Sequence, residues 1–176
     1  MKKSEILLKQ DRKLFHTADL AVLWSVTDSN LLLTTIKRYV KRGILFRICK
    51  GFYSTKRLKE LDPVELGLAY VHKLGYLSTE SVLVQEGIIN QQPEQITLVS
   101  SVSKRFGLAG REFVVRKMKD QFLYNDIGII DSGKYKKAGL ERAVADMLYF
   151  NPRYNFDNRS LVDWDKVSQI QKEMKI

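Results

Sequence analysis

One cysteine, three prolines, two histidines and no long apolar run mark this 176-residue chain by what it lacks. A single thiol, Cys49, excludes an internal disulfide framework. No apolar stretch reaches the ~20 residues of a membrane-spanning helix. The opening "MKKSEILLKQDRKLF" sets charges among its apolar positions and offers no small-residue cleavage site, so it does not read as a signal peptide. His16 and His72 lie far apart and form no metal-binding spacing with Cys49. Phosphate-cradling loops are missing too: "FGLAG" lacks the Lys-Ser/Thr that would follow. The expectation is a cytoplasmic protein without metal, cofactor or membrane contact.

Acidic residues are scarce in one place only. Residues 1–60 hold 14 Lys/Arg against 5 Asp/Glu, whereas residues 61–176 hold 16 against 15, for a net charge of +10. Such asymmetry predicts a basic module that meets a polyanion, joined to a near-neutral module with another task. The segment "LDPVELGLAYVHKLG" places the boundary at 60/61. Asp62 suits an N-cap, Pro63 the first helical position and Glu65 a capping box.

Upstream, the spacing predicts three helices and a hairpin. The helices run from Ser4 to Lys13, from a cap at Thr17 to Trp24, and from Ser29 to Arg42, the last closed by Gly43. "ILFRI" and "GFYS", joined by "CKG", read as a hairpin. At ~100° per residue the third helix gathers Leu32, Leu33, Ile36, Tyr39 and Val40 on a core-facing side. Asn30, Thr34, Lys37, Arg38 and Lys41 fall on the other, with Leu31 beside them. Amide, hydroxyl and cationic side chains on one helical face suit base edges and phosphates in a major groove. Arg47 and Lys50 near the hairpin tip, and Lys56 past its second strand, add phosphate partners. Helix, break, basic helix and basic hairpin make the layout of a winged helix-turn-helix, a shape that also serves protein interaction; the concentrated positive charge makes double-stranded DNA the expected partner.

Downstream the pattern mixes types and predicts an α+β protein whose C-terminal mixed α/β domain has a small sheet flanked by helices. "STESVLVQEG" reads as a helix, and "EQITLVSS", "REFVVRKM" and "FLYNDIGII" as strands. "AGLERAVADMLYF" reads as a helix stopped at Asn151-Pro152, followed by a terminal helix capped by Asp163. Tyr149, Phe150, Tyr154, Phe156 and Trp164 are expected to anchor that last helix.

Catalysis finds little support. Glu141 and Asp146 stand about 140° apart on a helix and do not share a site, whereas Arg142 and Asp146, at i and i+4, can pair. "SVSK" has the Ser-x-x-Lys spelling of some acyl enzymes but no partner motif, and reads as a strand end. The chain is therefore expected not to be an enzyme.

"HTADLAVLWSV", "IKRYVKRGILFRICKGFYS", "GYLSTESVLVQEGI" and "AGLERAVADML", in this order, resemble segments of AbiEi-family antitoxins. The resemblance implies a DNA-binding repressor that binds inverted repeats in its own promoter, with two protomers per operator. It further implies a C-terminal domain, residues 61–176, that counters a nucleotidyltransferase-like toxin, without requiring a stable complex. Glu141, Arg142 and Asp146, in the matching "LERAVADML" helix, are the residues assigned to that neutralisation. Two other readings stand beside it: a ligand-responsive winged-helix regulator, and a nucleic-acid enzyme.

Overall fold

Asp28 and Gly43 bracket the element that the sequence marks most strongly. The Asp28 carboxylate accepts the Leu31 N–H at 2.9 Å, and Gly43 takes a left-handed φ of 68° while its N–H reaches back to Val40 O at 3.0 Å. The structure, a computed structural model, describes residues 2–91 and 94–176; Met1, Gln92 and Pro93 lie outside the described residues. The chain divides into two compact units, Met1–Tyr70 and Val71–Ile176.

The first unit comprises α1 (Lys3–Leu8), β1 (Leu14–His16), α2 (Thr17–Leu23), α3 (Ser29–Lys41), β2 (Phe46–Cys49), β3 (Phe52–Ser54) and most of α4 (Pro63–Val71). Leu32, Ile36 and Tyr39 of α3 join Leu7, Phe15, Leu20, Trp24, Leu45 and Tyr53 in one core. Trp24 packs edge-on against Tyr39 at 5.4 Å and donates its indole N–H to Lys3 O, which ties α1 to α2. The sheet order is β1-β3-β2, antiparallel throughout.

Two expectations change here. The first helix stops at Leu8, because Leu14–His16 leave the helical path to pair with β3, Leu14 opposite Ser54 and His16 opposite Phe52. A long-range backbone pairing that buries Leu14 and Phe15 outweighs the local helical preference. The division between units also lies at the end of α4, downstream of the change in charge. Asp62 caps α4 as expected, accepting from Val64 N at 2.8 Å and Glu65 N at 3.3 Å. The helix nevertheless belongs to the basic unit, since His16 Nε2 bonds Ala69 O at 2.9 Å and Phe52 packs edge-on against Tyr70.

The second unit runs β4 (Gly75–Leu77), α5 (Glu80–Gln85), β5 (Gln95–Ser100), β6 (Lys104–Leu108), β7 (Arg111–Lys117), α6 (Asp120–Leu123), β8 (Ile129–Asp131), β9 (Lys136–Ala138), α7 (Leu140–Phe150) and α8 (Trp164–Met174). Its sheet has six strands in the order β6-β7-β5-β4-β9-β8. The pairs β5–β7 and β4–β9 are parallel and the others antiparallel. The whole is α+β. "FLYNDIGII" is not one strand: Phe122 and Leu123 end α6, and extended backbone begins only at Ile129. "SVSK" forms the turn into β6 rather than the close of a strand. α7 buries Ala143, Val144, Ala145 and Met147. Phe156, 2% exposed, packs against Tyr154 and Trp164 and so holds the start of α8, whose cap Asp163 accepts from Lys166 N.

Candidate nucleic-acid interface

The eight cationic and polar side chains singled out in the first unit all face solvent: Asn30, Thr34, Lys37, Arg38, Lys41, Arg47, Lys50 and Lys56. For the five on α3, the burial of Leu32, Ile36 and Tyr39 on the opposite side of the helix fixes this orientation. Between α3 and the β2–β3 hairpin lies a groove of about 490 Å³. Lys37 and Lys41 line it from the helix, and Arg47 and Lys50 from the hairpin. Leu33, Ile36, Val40 and Tyr53 supply its apolar lining. Asn30, Thr34 and Arg38 lie on the outward face of α3 rather than in the groove lining, and Lys56 stands beyond β3.

The hairpin is held in place by its own backbone. Gly51, at φ 78°, turns the chain so that its carbonyl accepts both Thr17 N at 2.9 Å and Thr17 Oγ1 at 3.3 Å. The hairpin tip is thereby pinned to the start of α2. Arg47 donates its Nε to Cys49 O, which braces the guanidinium along the strand bulge between Arg47 and Cys49. Four cations converge on this one groove and give it a strongly positive field. Helical spacing assigns Leu33 to the core, yet it is 45% exposed and lines the groove. Thr17 and Gly51 are groove residues that the sequence does not mark as such; the glycine between two β-rich runs is their one signal.

The three residues assigned to toxin neutralisation sit elsewhere, on α7. Arg142 and Asp146 pair at 2.8 Å as the i,i+4 spacing requires, but both side chains are wholly buried. All five guanidinium N–H groups find acceptors there. Nε donates to Asp146 Oδ1, Nη1 to Asn125 O and Ile127 O, and Nη2 to Tyr76 OH and Phe122 O. Asp146 Oδ2 accepts from Ser78 Oγ at 2.7 Å. Burial, reinforced by Asp146, lifts the Tyr76 hydroxyl far above its ordinary range, so it stays protonated. Arg142 thus clamps α7 to β4 and to the 122–127 segment.

Neither side chain of the Arg142–Asp146 pair has accessible surface, so in this structure both hold α7 in place from within. Glu141 is 16% exposed and pairs with Lys166 Nζ at 3.1 Å, joining α7 to α8. Gly128 completes the clamp. It adopts φ 69°, and a Cβ there would stand 2.8 Å from Arg142 Cβ and 3.3 Å from Ile170 Cδ1. Gly128→Ala is expected to destabilise the second unit by more than the ~1 kcal/mol of a strained left-handed backbone alone. Urea unfolding followed by Trp164 fluorescence in a Trp24→Phe background would measure it.

Among the described residues no group of His, Cys, Asp and Glu is arranged to hold a metal, and no helix is long and apolar enough to cross a membrane. No family model and no curated protein matches the chain. Among solved structures it is similar to the RV2827C protein from Mycobacterium tuberculosis. The TM-score is 0.52 at 13% sequence identity, over 96% of this chain and 69% of that one. At this identity the likeness concerns the fold alone.

Proposed function

We propose that the first unit is a winged helix-turn-helix that binds double-stranded DNA, and that the protein is a transcriptional repressor acting as the antitoxin of a toxin–antitoxin pair. The groove lined by Lys37, Lys41, Arg47 and Lys50 carries the DNA reading. In this reading α3 enters the major groove, the β2–β3 hairpin serves as the wing, and the four cations neutralise phosphates. Asn30, Thr34 and Arg38 read base edges. The resemblance to AbiEi-family antitoxins supports the remainder: two protomers on an inverted repeat in the protein's own promoter, and a second unit that opposes a nucleotidyltransferase-like toxin.

Binding of the full chain to the DNA upstream of its own gene, compared with a shuffled duplex, tests the repressor reading. Ala at Asn30, Thr34 or Arg38 is expected to narrow that preference by about 1–3 kcal/mol for each base no longer recognised. Equal weakening on both duplexes would show that these side chains only hold phosphates.

A ligand-responsive regulator is the second reading, and one observation favours it. The second unit has a concavity of about 510 Å³ whose lining combines Phe122, Leu148, Tyr149 and Pro152 with Lys119 and Gln171. Apolar walls with a few polar groups are the usual make-up of a small-molecule site. A small molecule that released DNA from the full chain, with no toxin gene beside this one, would decide for that reading.

A further inference from the structure

The outward side of α3 carries two large apolar side chains that the phosphate-binding account does not use. Leu31 is 54% exposed and Leu33 45% exposed. Leu31 lies about 100° to one side of Asn30 and Leu33 about 60° to the other. Between these flanks run Asn30, Thr34, Lys37, Arg38 and Lys41, all exposed. Leu33 also lines the groove toward the hairpin.

Neither leucine has a hydrogen-bonding group on its side chain, so neither answers a phosphate or a polar base edge. The feature of a major groove that an aliphatic side chain can match is the 5-methyl of thymine; cytosine carries hydrogen at that position. Resting on the DNA reading above, we propose that Leu31 and Leu33 are specificity residues that recognise thymine methyl groups from opposite flanks of α3. Each leucine meets its own thymine, and the two together fix the A·T positions of a half-site on either side of the bases met by Asn30 and Thr34. Packing against a methyl removes apolar surface from water on both partners, and that gain vanishes when the methyl is absent.

The experiment uses the full chain and a duplex that it enriches from a random library. Each thymine of that duplex is replaced in turn by uracil, which deletes the methyl and keeps every hydrogen-bonding group. Removal of one buried methyl is expected to weaken binding about fourfold at no fewer than two thymines per half-site. Leu33→Ala should abolish the sensitivity at one of them and Leu31→Ala at the other. Both side chains are solvent-facing, so the variants should fold as the parent does. Uracil without effect at every position, or sensitivity that survives in both variants, would overturn the thymine assignment while leaving DNA binding intact. Failure to enrich any sequence would overturn the DNA reading itself, and the assignment with it.

Discussion

Replacing Lys37 and Lys41 together by Glu is expected to abolish DNA binding and leave the fold unchanged. Both side chains are exposed, and both line the groove from α3. Surface substitutions of this kind alter stability by only about half a kcal/mol. Under the DNA-binding proposal their effect on binding is far larger, because two phosphate contacts per protomer would become two repulsions. With two protomers on one operator, affinity at moderate salt should fall by at least about a hundredfold. The same variant separates the two activities proposed for the chain. If a toxin gene neighbours this one, cells carrying both should lose promoter repression with this variant and still recover growth. If rescue disappears whenever promoter binding does, across this and the Asn30, Thr34 and Arg38 variants, the protein is a repressor and not the antitoxin element.

Arg142→Glu should unfold most of the second unit. An exposed i,i+4 pair contributes only several tenths of a kcal/mol, and the sequence alone suggests nothing larger. The structure places the pair in the interior, where removing one partner of a buried ion pair costs about 3–5 kcal/mol. The variant also sets a second carboxylate against Asp146 and strips donors from Tyr76 OH and from the carbonyls of Phe122, Asn125 and Ile127. Against a total stability of about 5–15 kcal/mol for an ordinary domain, that deficit is decisive. Arg142→Lys should rescue little, since an ammonium has three donors where five are used. Thermal unfolding followed through Trp164, with Trp24 replaced by Phe, would show the second unit melting early. An unchanged transition would mean that the buried network contributes nothing.

Much of the basic unit was legible from the sequence. Asp28, Gly43 and the apolar spacing of Leu32, Ile36 and Tyr39 are local signals, and local signals set α3. The exposure of the four cations was legible for the same reason, since Lys37 and Lys41 follow the helical period and Arg47 and Lys50 the hairpin, but the groove between them was not. What escaped was non-local. β1 exists because it pairs with β3 some forty residues later, and β4 and β9, only three residues each, owe their extended form to neighbours in the sheet. The role of "LERAVADML" escaped for a related reason. Its i,i+4 charges spell an exposed pair, and only the packing of Tyr76, Ser78 and Gly128 around them makes that pair a buried clamp. Leu33 departs from its expected place because a helical wheel gives an angle but not where the core ends.

The salt dependence of operator binding tests the phosphate-binding groove most directly. If Lys37, Lys41, Arg47 and Lys50 each neutralise one phosphate on both of two protomers, log K should fall against log salt concentration with a slope near about −7. Arg47→Ala or Lys50→Ala should make the slope shallower by about two, one phosphate from each protomer, and weaken operator and shuffled duplex alike. A slope near zero in the parent protein, or a slope that neither substitution moves, would contradict the account.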